Sequence, residues 1–196
     1  VPKDEEMAFQ LFKRAAEKGH SNAMNNVGWC YQEGLGVARD LAQSAAWYRK
    51  SAASGNPAGQ YNLGFAYEHG LGVKRDPREA AVWCLRAAGQ GHTEAQVKIG
   101  MLCRDGQVVK RDYPKALEWF LKAAERNHPM AQFYIGQMYE GGLGVPKDAD
   151  RAFKWYEKSA ASGNPHALNA LGACYYRGLS VKKDYAQAAR LYGRAA

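Results

Sequence analysis

The chain repeats with a step of 36 residues, and that step leaves few folds open to it. Gly28, Gly64, Gly100, Gly136 and Gly172 stand 36 positions apart, as do Asp4, Asp40, Asp76, Asp112, Asp148 and Asp184. A strict period of roughly 20 to 50 residues marks a solenoid, whose units bury their apolar faces only against their neighbours. The period divides the chain into a partial unit at 1–20, holding a second helix alone, then units at 21–56, 57–92, 93–128, 129–164 and 165–196. One continuous array is expected rather than two separate domains.

Each unit reads as a helical hairpin. In the unit 21–56, Ala23, Val27 and Tyr31 recur at every fourth position beside Cys30, so one face of a first helix is apolar. Gly34 suits a left-handed helix end, and the run from Gly34 to Val37 makes a tight connector. Asp40 is placed to cap a second helix; Pro77, directly after Asp76, supports this because proline fits the first helical position. The second helix carries Ser44, Trp47, Tyr48, Ser51 and Ala52 on one stripe. Gly55, Gly91 and Gly163 end it, and Asn127 holds the same position, as asparagine does where φ is positive. The row of Gly28 and its equivalents falls where helices must approach closely. Trp47, Trp83, Trp119 and Trp155 match the helix period and the repeat period together, which predicts core positions.

The repeated pattern is Ala-x-x-x-Leu-Gly-x-x-Tyr-x-x-Gly-x-Gly-Val-x-x-Asp, followed by Ala-x-x-Trp-Tyr-x-x-Ala-Ala-x-x-Gly. It is fullest from Ala58 to Gly91 and from Ala131 to Gly163. It resembles the Sel1-like repeat (SLR), a relative of the tetratricopeptide repeat with a longer loop, along the whole chain. The resemblance implies an all-α, right-handed superhelical solenoid of about eleven helices, working as a non-catalytic adaptor that holds protein partners. Relatives serve in endoplasmic-reticulum quality control, cell-wall synthase activation and bacterial host interaction. Two units depart from the pattern: one has Cys103 for the tyrosine and Gln107-Val108 for Leu-Gly, and the last has Ser180 for the second glycine. Loop geometry is expected to differ there.

Composition narrows the function classes. No apolar run approaches the roughly 18 residues needed to span a bilayer. Cys30, Cys84, Cys103 and Cys174 are 54, 19 and 71 residues apart, too irregular for a zinc knuckle or a periodic disulfide ladder. They read as buried, reduced fillers and favour the cytoplasm over a secretory lumen or the periplasm. Some bacterial relatives clasp each hairpin with a disulfide, a pairing that this chain lacks. Neither HExxH nor CxxC nor a phosphate-binding Walker loop occurs, so no cofactor, no metal and no reaction is expected. His20, His92 and His128 share one inter-unit turn position with Asn56 and Asn164, which reads as turn and cap chemistry.

Positions repeated in every unit are occupied by packing, so function belongs where units differ. In helical-hairpin solenoids the first helix lines the concave face. Its variable offsets hold Asn22, Asn25, Trp29, Gln32, Tyr61, Phe65, Glu68, Val97, Met101, Arg104, Phe133, Gln137, Glu140, Asn169 and Tyr176. Large apolar residues (Trp29, Tyr61, Phe65, Met101, Phe133) among polar ones describe a groove for a protein or peptide partner. The second reading is polyanion or nucleic-acid binding, suggested by a net charge of +8 and two cation rows. One row is Lys3, Arg39, Arg75, Arg111, Lys147 and Lys183, and the other Arg14, Lys50, Arg86, Lys122, Lys158 and Arg194. The second row opposes the negative end of its helix dipoles, and exposed aromatics for base stacking do not accompany it, so structural roles are preferred. Val1 aligns with Val37 and Val73, and the chain stops before the usual glycine. The array is therefore expected to be a fragment of a longer protein or to pack its ends against another surface, end-to-end contact with a second copy included.

Overall fold

The computed structural model describes residues 3–196; Val1 and the Lys3 side chain, which heads the first cation row, lie outside the described residues. These residues form eleven α-helices and no strand: α1 (Lys3–Glu17), α2 (Ser21–Glu33), α3 (Leu41–Ala53), α4 (Pro57–His69), α5 (Pro77–Gly89), α6 (Thr93–Asp105), α7 (Tyr113–Ala124), α8 (Pro129–Gly141), α9 (Ala149–Ala161), α10 (Pro165–Arg177) and α11 (Tyr185–Ala195). They divide into two compact units, one ending at Ile99 and the other beginning at Gly100.

In the first unit each of α1 to α4 packs on the helix that follows it, and α2 also touches α4. Its core joins Phe9, Ala16, Ala23, Val27, Cys30 and Trp47. A second cluster of Tyr48, Ala52 and Leu63 is flanked by Tyr67 and Trp83. In the second unit α7 packs on α8, α8 on α9, α9 on α10 and α10 on α11. Its core runs from Ala152 and Phe153 through Tyr156 and Leu168 to Leu171 and Leu191. All four cysteines are free and buried, as apolar fillers should be.

Side-chain oxygens begin the helices as the spacing predicts. Asp40 Oδ1 accepts from the Ala42 and Gln43 amides at 2.9 and 3.0 Å, and Asp76, Asp112, Asp148 and Asp184 cap α5, α7, α9 and α11 in the same way. The His/Asn turn row caps the first helices: Asn56, His128 and Asn164 accept from amides of α4, α8 and α10, and His92 Nδ1 accepts from Ala95 at 3.4 Å. His20 makes no such bond.

The glycine row is a set of close helix crossings. A Cβ on Gly28 would lie 2.6 Å from the Tyr48 ring. The equivalents face Cys84, Phe120, Tyr156 and Tyr192, all one position after the tryptophan or its leucine replacement. In the connectors Gly36, Gly72 and Gly144 take φ of 69°, 68° and 71°, and Ser180 takes 63°, so that loop keeps the repeat's geometry. Val108 does not adopt positive φ, which a β-branched residue can reach only with strain; the expected departure is confined to its loop. Even there the loop closes with the same bond as the others, from the Asp112 amide to the Cys103 carbonyl at 2.8 Å.

The tryptophans correct one expectation in part. Trp47 is buried, but Trp83, Trp119 and Trp155 are only half-buried. All four carry a cation on the ring: Lys50 Nζ at 3.9 Å, and Arg86, Lys122 and Lys158 at 4.4 Å from the ring centroids. The three-residue offset sets each cation one helical turn beyond its tryptophan, where a long side chain can lie across the indole.

Four outcomes follow from these contacts. Gly28→Ala should lower stability by about 1–2 kcal/mol, the overpacking cost less the helix-propensity gain. Gly89→Ala, whose added Cβ meets nothing within 4 Å, should instead raise it by up to about 1 kcal/mol; urea denaturation of the pair checks both signs. Asp148→Ala should cost about 1 kcal/mol by the same assay. Burial lowers the His92 pKa, against the opposing Glu94 carboxylate 3.3 Å away. With a folded pKa below the unfolded one, its contribution is present above about pH 6.5 and is lost as pH falls through the depressed value. The melting temperature of wild type should therefore fall more than that of His92→Asn between about pH 7.5 and about pH 5.5.

Candidate partner-binding surface

The fifteen sequence-selected residues lie on first helices, and their contacts run between consecutive first helices. In the first unit Asn22 Oδ1 accepts from the capping Asn56 Nδ2, and Asn25 Oδ1 accepts from Asn62 Nδ2 at 2.9 Å. Tyr61 stacks on His92 with centroids 4.7 Å apart and planes 20° from parallel. Glu68 pairs with Lys98 Nζ at 2.5 Å. In the second unit Phe133 lies 5.6 Å from His166. Repetition makes these partners neighbours although they stand 30 to 37 positions apart.

Other contacts fasten the row to the second helices. Tyr48 Oη donates to Gln32 Oε1 at 3.1 Å, and Tyr156 Oη donates to Glu140 Oε2 at 2.6 Å. Burial, outweighing a hydrogen bond to Ser44, pushes the Tyr48 pKa up to about 12. Burial and the Glu140 carboxylate raise that of Tyr156 further. Both phenols therefore stay neutral donors at any physiological pH.

The apolar members of the row separate into three kinds. Trp29, Phe65 and Tyr176 are 48%, 38% and 57% exposed. Phe65 leans on His69 with centroids 4.3 Å apart, and Tyr176 meets Tyr185 edge-on. Tyr61, Met101 and Phe133 are half-buried, and Phe133 packs on the core around Tyr156. Val97 is buried and offers no surface, which corrects its selection: it holds in α6 the repeat position of Tyr61 and Phe133, and its smaller side chain is covered there. Of the polar members, Arg104 pairs with Asp105 at 2.7 Å and lies over the Tyr134 ring. Gln137 and Glu140 border the second unit's row, and Asn169 is exposed.

Lys98, Asn62 and Tyr134 belong to the row by contact but escaped the sequence reading. They share one repeat position with Asn26 and Ala170. That position differs from unit to unit as much as the chosen offsets do, so the same criterion would have found it.

Several members of the cation rows are engaged within the structure. Arg39 and Arg75 donate through Nε to the Gln32 and Glu68 carbonyls at 2.9 Å, and Arg111 donates to Asp105 O at 3.3 Å. These bonds satisfy carbonyls left open in the last turn of a first helix. Four members of the second row, Lys50, Arg86, Lys122 and Lys158, lie on tryptophan rings, as described above. Among the described residues no cluster of His, Cys, Asp and Glu has metal-holding geometry, and no helix is long and apolar enough to cross a membrane.

Comparisons with known proteins agree on the repeat. The Sel1 repeat family matches at residues 1–20, 21–56, 57–92, 93–128, 129–164 and 165–196. The chain is 40% identical to a protective antigen present in uropathogenic Escherichia coli strains, whose crystal structure displays an SLR fold. The match has a TM-score of 0.90 and covers 98% of this chain but 41% of the antigen, so the chain spans about two fifths of that protein. A Sel1 repeat protein from Oxalobacter formigenes is 33% identical, with a TM-score of 0.90 over 98% of this chain and 79% of its own. An immunity protein from Pseudomonas aeruginosa, 21% identical with a TM-score of 0.62 over 95% of this chain and 72% of its own, shares the fold. Curated proteins yield no match. The chain belongs to the Sel1 repeat family, whose members generally serve as scaffolds for protein–protein interaction rather than as catalysts.

Proposed function

We propose that the chain captures a protein or peptide partner on the face presented by its first helices. One observation carries the reading: Trp29 and Phe65 in the first unit remain 48% and 38% exposed, and Tyr176 in the second 57%. Large aromatics left in solvent on a folded scaffold are poor for solubility and good as anchors, because their burial on association removes much apolar surface at little entropic cost. In the first unit Asn22, Asn25 and Gln32, on the same helix as Trp29, supply a polar rim. Their cross-links hold that rim still before a partner arrives, which lowers the cost of binding.

The test compares wild type with Trp29→Ala/Phe65→Ala/Tyr176→Ala in a pull-down at two salt concentrations. Phe133 is kept because its contacts with the core make its loss a folding defect. The triple variant should melt within a few degrees of wild type, since truncating exposed side chains changes stability by about 0.5 kcal/mol or less each. It should lose a partner that wild type retains at both salt levels. A partner held equally by both proteins, or released by salt alone, would move binding off this face.

A further inference from the structure

A cleft of about 630 Å³ opens in the first unit between α3, the end of α4 and the connector into α5, lined among others by Arg49, Tyr67, Lys74, Arg75, Asp76 and Glu79. None of these is in the first-helix row, so the site is separate from the surface proposed above. Arg49 Nη2 donates to Tyr67 Oη at 3.3 Å. The phenol oxygen is therefore the acceptor of that bond, and its own hydrogen is left to donate. A guanidinium carries five N–H donors, and this bond uses one of Arg49's. Among the described residues no carboxylate lies within ion-pair distance of Arg49 or Lys74. The cleft thus gathers donors that the fold does not satisfy.

No other repeat brings the same set together. One repeat earlier the positions of Arg49 and Lys74 hold Lys13 and Ala38. One repeat later Leu85 and Cys103 replace the arginine and the tyrosine, and two repeats later Leu121 and Pro146 replace the arginine and the lysine. Three repeats later Glu157 reverses the charge. Arg75 has a role shared with its equivalents, since Arg39, Arg75 and Arg111 all donate to carbonyls in the last turn of a first helix. Nothing in the repeat requires a cation at Arg49 or Lys74, because the same positions accept leucine, glutamate, alanine and proline elsewhere.

From this convergence we propose that the cleft binds one carboxylate, the side chain of an aspartate or glutamate on a protein partner. The planar guanidinium of Arg49 matches the two carboxylate oxygens, the Tyr67 hydroxyl donates to one of them, and Lys74 adds a point charge. The lining also sets the charge of the ligand. Three cations face Asp76 and Glu79, which leaves a single positive charge to be met. Asp76 is committed to capping α5, where its Oδ1 accepts from the Arg78 and Glu79 amides at 3.0 and 3.1 Å. A monoanion is drawn in, whereas a dianion such as phosphate is repelled by both carboxylates. Glu79 is exposed and is the internal competitor for the same donors. Arg49 and Lys74 stand exposed, which suits a side chain carried in on another protein. A free metabolite would depend on one ion pair in water, which contributes little.

The experiment is an NMR titration of the ¹⁵N-labelled chain with N-acetyl-glutamate methylamide at constant ionic strength, read at Arg49 Nε and at the Lys74 and Arg75 amides. N-acetyl-glutamine methylamide, of the same shape without the charge, and inorganic phosphate are the comparisons. Saturable shifts are expected with the glutamate probe, none with the glutamine probe, and weaker binding with phosphate. The shifts should vanish in Arg49→Leu, which copies Leu85 and Leu121 at the same repeat position. Glu79→Gln, which copies Gln43 and removes the competitor, should lower the dissociation constant by about two- to fivefold, the effect of one nearby surface charge. Either variant is sufficient if the other does not fold. The proposal is overturned if wild type shows no saturable shift, if the glutamine probe shifts the same signals equally, or if phosphate binds more tightly. Shifts that persist in folded Arg49→Leu, or a dissociation constant unchanged in folded Glu79→Gln, overturn it too.

Discussion

The contact on which the array depends is the crossing of two helices over a residue without a side chain. Gly28 lies under Tyr48, and a Cβ in its place would sit 2.6 Å from that ring. The ring is 2% exposed and has no room to retreat. Each later unit repeats the crossing with a glycine below and Cys84, Phe120, Tyr156 or Tyr192 above. The same phenols, drawn down by the glycine, reach Gln32 and Glu140 and tie the first helix to the second. A closely packed interior tolerates little volume change, which is why one methyl group at this point matters more than most surface substitutions.

Charge is arranged around that crossing rather than spread for solubility alone. Aspartates hold the open amides at the start of the second helices, and Arg39, Arg75 and Arg111 hold carbonyls at the end of the first. Lysine or arginine one turn beyond Trp83, Trp119 and Trp155 covers rings that packing leaves half-exposed. A net charge of +8 would otherwise suggest an anionic partner. Arg39, Arg75 and Arg111 are engaged at helix ends, and Lys50, Arg86, Lys122 and Lys158 on indoles.

A repeat protein acquires function where its units stop being copies. Trp29, Phe65 and Tyr176 belong to that variation. This is a low-cost route to a binding site, because the scaffold that positions it is already stabilised by its neighbours.

Most of the fold was legible in the residues because each repeated signal answers a local demand. A carboxylate at Asp40 meets free amides two and three residues on, Gly55 or Asn127 supplies a positive φ, and Trp47 with Ser51 faces one side of one helix. None of these depends on distant residues, so spacing alone determined the helices, their caps and the hairpin. The candidate row was legible only as a set of variable positions. Val97 proved covered, Phe133 proved half core, and Lys98 and Tyr134 entered the row, because exposure depends on what the neighbouring hairpin brings across. Three buried glutamines at one repeat position are the sharpest case: Gln60 Oε1 accepts from Gln90 Nε2 at 2.8 Å, while Gln96 and Gln132 Oε1 have no partner. Sequence determined what every unit must do to fold. Tertiary structure decided which side chains were left over, since burial and hydrogen-bond partnership are properties of the neighbours and not of the residue itself.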